Sequence, residues 1–251
     1  MMINKKDLHA LRKKEEKLVN DIKKKYGISD IIYLPNIIPK EKVEFILITM
    51  EPSFGHWTKD IEDAKKKINN GFKNFIYSWE DFIFHYCITE YLSPSYYVTD
   101  ISKAAMKVNN ANRLRKKIYP LWLDLIKEEI GIIGKKDCQL IFVGKQVENF
   151  FKSNINSVKF NIPNNKPILH YSPQAVKKRN RIIENYPQDE FCDFKKNLSS
   201  ERIIEFAEEF LKTNRINETI IEDTLKRLNN HKTKLSDSRK KLMFIYYKEF
   251  N

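Results

Sequence analysis

Leu8, Leu11, Leu18 and Ile22 recur at near-helical spacing with Lys and Glu between them. Residues 5–26 are therefore predicted to form an amphipathic helix, with Gly27 as its C-cap. The apolar run at 43–48 reads as a buried strand. Pro52, which has no N–H to donate, stops its ladder. The charged stretch 58–70 is expected to be a loop or a surface helix. Gly71 opens an aromatic-rich stretch, 72–92, with a buried helix from about Trp79. Residues 96–99 form a second predicted strand, ending at Asp100. Residues 113–129 are helical, with Pro120 as a kink or a boundary. A third strand, 139–143, is followed by Gly144 and a helix at 146–151. A short fourth strand at 167–169 ends at His170.

From Ser199 the pattern changes to helices alone. Ile203, Phe206, Ala207 and Phe210 mark one, Ile220, Ile221, Leu225 and Leu228 another, and residues 242–250 a third. Strands that alternate with helices predict an α/β fold. The expectation is a three-layer αβα arrangement round a central, mostly parallel four-stranded sheet, with N- and C-terminal helices added. Residues 1–198 are expected to form the α/β domain and 199–251 a helical extension.

Composition adds limits. The chain has 251 residues, 41% of them hydrophobic, enough for a sizeable core. No run reaches the length of a membrane span and the N-terminus is charged, so neither a membrane anchor nor a signal peptide is expected. Cys87, Cys138 and Cys192 form no CxxC pair, which fits a reducing cytoplasm. His9, His56, His85, His170 and His231 lack metal spacing with the cysteines, so no metal and no cofactor is expected. Dinucleotide, P-loop and GxSxG signatures are missing. The net charge of +13, from 46 Lys and Arg against 33 Asp and Glu, favours an anionic partner, with nucleic acid first. The Lys-, Ile- and Asn-rich composition of a low-GC genome would give the same excess without any DNA binding.

The chemistry sits at the strand ends. Ligands of open α/β sheets bind outside the carboxyl ends of the strands. Three of the predicted ends carry Glu51, Asp100 and His170, and the other carries Gly144 and Lys145. These groups are expected to converge on one cleft. The ordinary alternative for Asp100 is an N-cap of a helix starting at Ile101.

The order and wording of these segments resemble the uracil-DNA glycosylase superfamily over about residues 43–175. Ile48-Thr49-Met50-Glu51-Pro52-Ser53 is similar to its first motif, an acidic or amide residue before Pro after a buried strand. Thr99-Asp100-Ile101-Ser102-Lys103 and Asn112-Arg113 are similar to a middle motif, Val143-Gly144-Lys145 to a third, and His170-Tyr171-Ser172-Pro173 to the last. Thr49, Ser53 and Tyr171 depart from the usual pattern.

The resemblance implies hydrolysis of the bond between a flipped-out base and its deoxyribose. Glu51 would orient water and favour the cationic sugar, and His170 would donate to the departing base. Phe72 or Phe75 would stack on the base, with Phe54 and Trp57 as rivals. Ser53, Lys103, Ser172, Gln174, Lys177, Lys178, Arg179 and Arg181 would contact DNA, the last group from a loop entering the minor groove. Family members that read uracil often have Asn where this chain has Asp100. An ionised carboxylate cannot donate to O4 of uracil but accepts from the exocyclic amine of cytosine. The expected substrate is thus a modified cytosine-type base in double- or single-stranded DNA. Enzymes of this type include ones that resemble defence proteins acting on modified phage DNA. A monomeric, cytoplasmic DNA glycosylase is the leading expectation. Its alternatives are a uracil-DNA glycosylase of base-excision repair, a non-catalytic binder of modified or damaged DNA, and an unrelated Rossmann-like hydrolase of a small molecule.

Overall fold

The computed structural model describes residues 1–55, 57–154, 166–172, 175–230 and 234–251. The chain divides into two compact units, each discontinuous in sequence. Unit 1 is Met1–Asn74 with Ser95–Pro167, and unit 2 is Phe75–Pro94 with Ile168–Asn251. The line drawn from sequence between 198 and 199 falls inside unit 2.

Unit 1 begins with helix α1 (Lys5–Tyr26). The Asn4 side chain accepts from the Lys6 N–H at its start, and Gly27 ends it in the left-handed region at φ 62°. Its buried stripe is Leu11, Glu15, Val19 and Ile22, so an acid occupies an apolar position. Strands β1 (Ile31–Tyr33) and β2 (Val43–Thr49) and helix α2 (Ile61–Asn69) follow. The chain then passes into unit 2 as helix α3 (Trp79–Tyr91). It returns as β3 (Tyr96–Asp100) and β4 (Ala104–Met106), then helix α4 (Val108–Ile118), a 3-10 turn (Tyr119–Trp122), α5 (Leu123–Ile133), β5 (Gly134–Phe142) and α6 (Lys145–Ser153). Pro120 thus acts as a boundary: it is the second residue of the 3-10 turn that separates α4 from α5.

The fold is α/β with a small parallel sheet of order β3-β2-β5. Ile46, Leu47 and Ile48 of the central strand are fully buried, as expected for a parallel strand covered on both faces. The register sets Thr49 opposite Asp100 and Ile48 opposite Phe142, so three strand ends lie level. Val19 and Ile22 of α1, Leu114 and Ile118 of α4, Trp122, Ile126 of α5 and Phe151 of α6 share one core with Ile46, Ile48, Tyr97 and Phe142. A separate antiparallel pair, β1 with β4, was not expected; both strands are only three residues long.

In unit 2, α3 is buried at Trp79 and at every position from Phe82 to Ile88, so it is apolar all round rather than amphipathic. A capping box fixes its start. The Asp81 N–H donates to Ser78 Oγ at 3.1 Å, and the Ser78 N–H donates to Asp81 Oδ2 at 2.7 Å. Helices α7 (Val176–Ile183), α8 (Gln188–Lys196), α9 (Ser200–Thr213), α10 (Glu218–Asn230) and α11 (Asp237–Phe250) complete the unit. Helix α11 packs on α3, α7 and α8, while α9 packs on α3 and α10.

Two expectations are corrected. Residues 167–169 are not a strand: Ile168 is a single bridge residue. Side chains take the backbone groups that a ladder would use. The Leu169 N–H donates to Glu249 at 3.2 Å, and its carbonyl accepts from the Tyr246 hydroxyl at 2.7 Å. The sheet among the described residues therefore has three strands rather than four. The basic run after His170 is not a loop but helix α7. No helix among the described residues is long and apolar enough to cross a membrane.

Candidate active site

Glu51 lies two residues beyond the end of β2, with its side chain only 5% exposed. Both of its oxygens are engaged. Oε1 accepts from Arg115 Nη2 at 2.5 Å, and Oε2 accepts from Arg115 Nε at 3.1 Å and from the Tyr119 hydroxyl. Arg115 and Tyr119 are four residues apart, one on the last turn of α4 and the other opening the 3-10 turn, so they face the same way. The remaining arm of Arg115 donates to Gln146 Oε1 at 3.1 Å. Its hydrogen bonds to Glu51 hold the guanidinium above its ordinary pKa. Burial, with the Glu51 charge added, pushes the Tyr119 phenol up.

Asp100 ends the neighbouring strand and is 1% exposed. Its carboxyl accepts from the Thr49 hydroxyl across the β2–β3 pair and from Asn74 Nδ2 at 2.5 Å. Burial raises it to about 7, and the charge of Glu51 acts in the same direction. Thr49 can donate to the carboxylate or accept from the carboxylic acid, so a proton can come and go here without breaking the pair. The helix-cap reading of Asp100 is excluded. Ile101 and Ser102 donate their N–H groups to the carbonyls of Thr49 and Met50, and the chain continues into β4.

A buried polar network lies behind Asp100. Asn74 donates to Asn36 Oδ1 at 3.3 Å, and Asn36 donates to Thr99 Oγ1 at 3.0 Å and to the Tyr97 hydroxyl at 3.3 Å. Glu129 accepts from Tyr97 at 2.7 Å, Thr99 at 3.0 Å and Lys103 at 2.9 Å. Lys103 also donates to Thr99 Oγ1 at 2.7 Å and to the Asp100 carbonyl at 2.6 Å. Lys103, expected at a DNA surface, is instead 2% exposed, because three acceptors draw its ammonium inward. Glu15 accepts from the Tyr33 hydroxyl at 2.7 Å, and burial, reinforced by the charge of Glu129, raises it to about 7.

His170 belongs to unit 2 and is not the end of a strand of the sheet. Its Nδ1 accepts the Ser172 N–H at 3.0 Å, which puts the proton of the neutral ring on Nε2. The ring stacks on Tyr171, which in turn stacks on Phe84. Arg179 is 2% exposed and donates to the carbonyls of Tyr171 and Ser172, the latter at 2.7 Å, and to Ser238 Oγ at 3.1 Å. Arg179 was expected on DNA phosphates, but its guanidinium is turned into the unit and pins the histidine loop. Lys177, Lys178 and Arg181, on the same helix, are exposed.

Phe72 and Phe75 are both buried, and so are Phe54 and Trp57. Phe72 stacks on Trp57 at 4.9 Å, which gives one face of each ring a protein partner. Ser53 is half-buried and bridges to Met106. Gln174 lies outside the described residues, as do His56 and His231. Among the described residues, no group of three or more His, Cys, Asp or Glu side chains could hold a metal ion.

Sequence reasoning missed Arg115, Tyr119, Asn74, Asn36 and Glu129. The i, i+4 spacing of Arg115 and Tyr119 was visible, but nothing local pairs them with Glu51, 64 and 68 residues away. No family model, no curated protein and no solved structure matches this chain.

Proposed function

We propose that the chain is a DNA glycosylase that hydrolyses the N-glycosidic bond of a modified cytosine-type base. The observation that carries this reading is the pair Glu51 and Asp100, carboxyl groups at the ends of adjacent parallel strands with opposite surroundings. Glu51 is ion-paired and hydrogen-bonded, whereas Asp100 is desolvated and rises to about 7. Such a pair suits chemistry that needs one carboxylate held in place by an ion pair and one group able to exchange a proton near neutrality. In the reaction the C1′–N bond breaks, the base departs with the bonding electrons, and water attacks the sugar cation, losing a proton through the Glu51 carboxylate that ends on the departed base. Glu51 stabilises that cation and orients the water. His170, in unit 2, is given its part by the resemblance alone, donation to the departing base, and the Nε2 proton that follows from the Ser172 N–H at Nδ1 is compatible with it.

Base recognition passes through Asn74 in this reading. Asp100 is too buried to touch a base itself, but it and Asn36 take the Asn74 amide hydrogens and turn that amide so that its oxygen accepts. An acceptor there suits the exocyclic amine of cytosine. One observation favours a second reading, uracil: at about 7 Asp100 is partly neutral, and its acid form can donate to the Asn74 amide oxygen and turn the amide nitrogen toward the base instead.

The test is abasic-site formation in oligonucleotides that carry uracil, cytosine or modified cytosines, read by alkaline cleavage. Release from modified cytosine is expected, and Glu51→Gln should lower it at least about a hundredfold while DNA binding persists. Efficient uracil release alone would select the second reading. DNA binding by the unmutated protein with no abasic product from any base would replace both with a non-catalytic binder.

A further inference from the structure

The Glu51–Arg115 pair is awkward for a carboxylate that must face a sugar cation. A guanidinium held at 2.5 Å and 3.1 Å cancels most of the field that the carboxylate could offer. The guanidinium is not sealed in. Its side chain is 21% exposed, and its third nitrogen reaches Gln146, an exposed residue in the first turn of α6. Asn112 and Lys116 flank it one turn back and one residue on, and both are exposed. Helix α4 carries Arg113, Arg115, Lys116 and Lys117 and no acid.

We propose that Arg115 is a phosphate-operated latch: a backbone phosphate of the bound DNA strand takes the guanidinium, with Asn112, Lys116 and Gln146 beside it, and so uncovers the charge of Glu51. The inference rests on the glycosylase reading and adds to it a contact that couples DNA binding to the carboxylate. The exchange balances charge. Arg115 passes from one anion to another of matching fork geometry, and Glu51 passes from the guanidinium to the developing sugar cation. Without DNA the carboxylate stays masked. Arg115 is a positioning residue here, and Tyr119 keeps Glu51 in place when the guanidinium leaves.

The experiment is a binding cycle on a fluorescently labelled DNA duplex, measured across a salt series with the full chain. In the unmutated protein Arg115 must abandon Glu51 to meet phosphate, so Glu51→Gln should tighten binding about tenfold. That gain should vanish when Arg115 is also replaced, as in the Glu51→Gln, Arg115→Gln pair. The double variant keeps polar groups at both positions and removes both charges, so it is a fold-safe companion to the single Arg115→Gln variant. Replacing Arg115 should also lower the slope of log affinity against log salt by about 0.9, one phosphate contact. Tightening that persists without Arg115 would be simple loss of a repelling anion and would overturn the latch. An unchanged salt slope would overturn it too. Failure of the glycosylase reading looks different: no abasic sites from any substrate, whatever the binding cycle gives.

Discussion

Lys103→Met takes one positive charge out of a cluster that contains Glu129, Glu15 and Asp100, all within its electrostatic reach. Methionine replaces most of the aliphatic stem, so the loss is chiefly of the ammonium and its three hydrogen bonds of 2.6–2.9 Å. Breaking a buried ion pair by removing one partner costs about 3–5 kcal/mol, because the other charge is left uncompensated. Here the orphans can take protons. Lys103 lowers the pKa of Glu15 and of Asp100, so its removal raises both further and makes protonation the cheapest relief. The loss should therefore be full near about pH 9 and shrink, by up to about 1.4 kcal/mol per pH unit for each responding carboxyl, as the solution is acidified to about pH 7, below which both carboxyls hold protons with or without Lys103. Urea unfolding across that range, followed by circular dichroism and by Trp122, which is buried in the same core, reads the difference. Glu129→Gln in the same chain should restore part of it. A loss under about 1 kcal/mol, or one equal at both ends of the range, would refute the account of the network.

Four further outcomes follow from the same geometry. Asp100 and Glu15, raised by burial from 3.8 and 4.5 to about 7, keep protons in the folded chain that the unfolded chain has released. Their contribution is complete below about pH 4 and is lost as pH rises through 7, so Asp100→Asn should flatten the fall in urea midpoint over that window. His85, lowered by burial to about 3, acts in the opposite sense: its contribution is present above 6.5 and is lost as pH falls, and His85→Gln should make unit 2 less acid-sensitive by Trp79 fluorescence. Arg179→Ala should destabilise unit 2 by about 3 kcal/mol and, on the glycosylase reading, cut base release with the salt slope of DNA binding unchanged, since its guanidinium faces carbonyls rather than solvent. Replacing exposed Lys177, Lys178 or Arg181 by Gln should lower that slope by about 0.9 for each phosphate that the basic side chain neutralises.

What could be read from the sequence was local. The stripe of α1 with Gly27, the run at 43–48, the break at Pro120 and the helices after Ser199 all rest on periodicity or on one residue with a fixed backbone preference. The elements that escaped notice are the short ones. Ile31–Tyr33 and Ala104–Met106 are three residues each, too few to show an alternation. Residues 167–169 have strand-like composition, and nothing near them says that Tyr246 and Glu249, from a helix far along the chain, would take their backbone groups. The site divides in the same way. Glu51 and Asp100 were singled out because strand ends are where ligands bind, whereas the contacts of Arg115, Asn74 and Lys103 are made with residues far along the chain. Basic character was the least reliable guide. Lys103 and Arg179 looked like phosphate binders and are among the most buried side chains in the molecule.

Helix α3 is apolar all round, and the partners that cover it are far along the chain: Glu80 at its start meets Arg239 of α11, 159 residues later. As the chain leaves the ribosome, α3 emerges early and stays uncovered until α9 and α11 have been made. A helix buried on every side is marginal in water by itself, so this segment waits as an open hydrophobic surface through most of synthesis. Neither unit can close from one continuous stretch, because β2 and β3 pair across that same insertion. Closure of unit 2 is thereby deferred until α9 and α11 have been made, and the helix most exposed to chaperones or to aggregation in the meantime is one that ends up among the most protected.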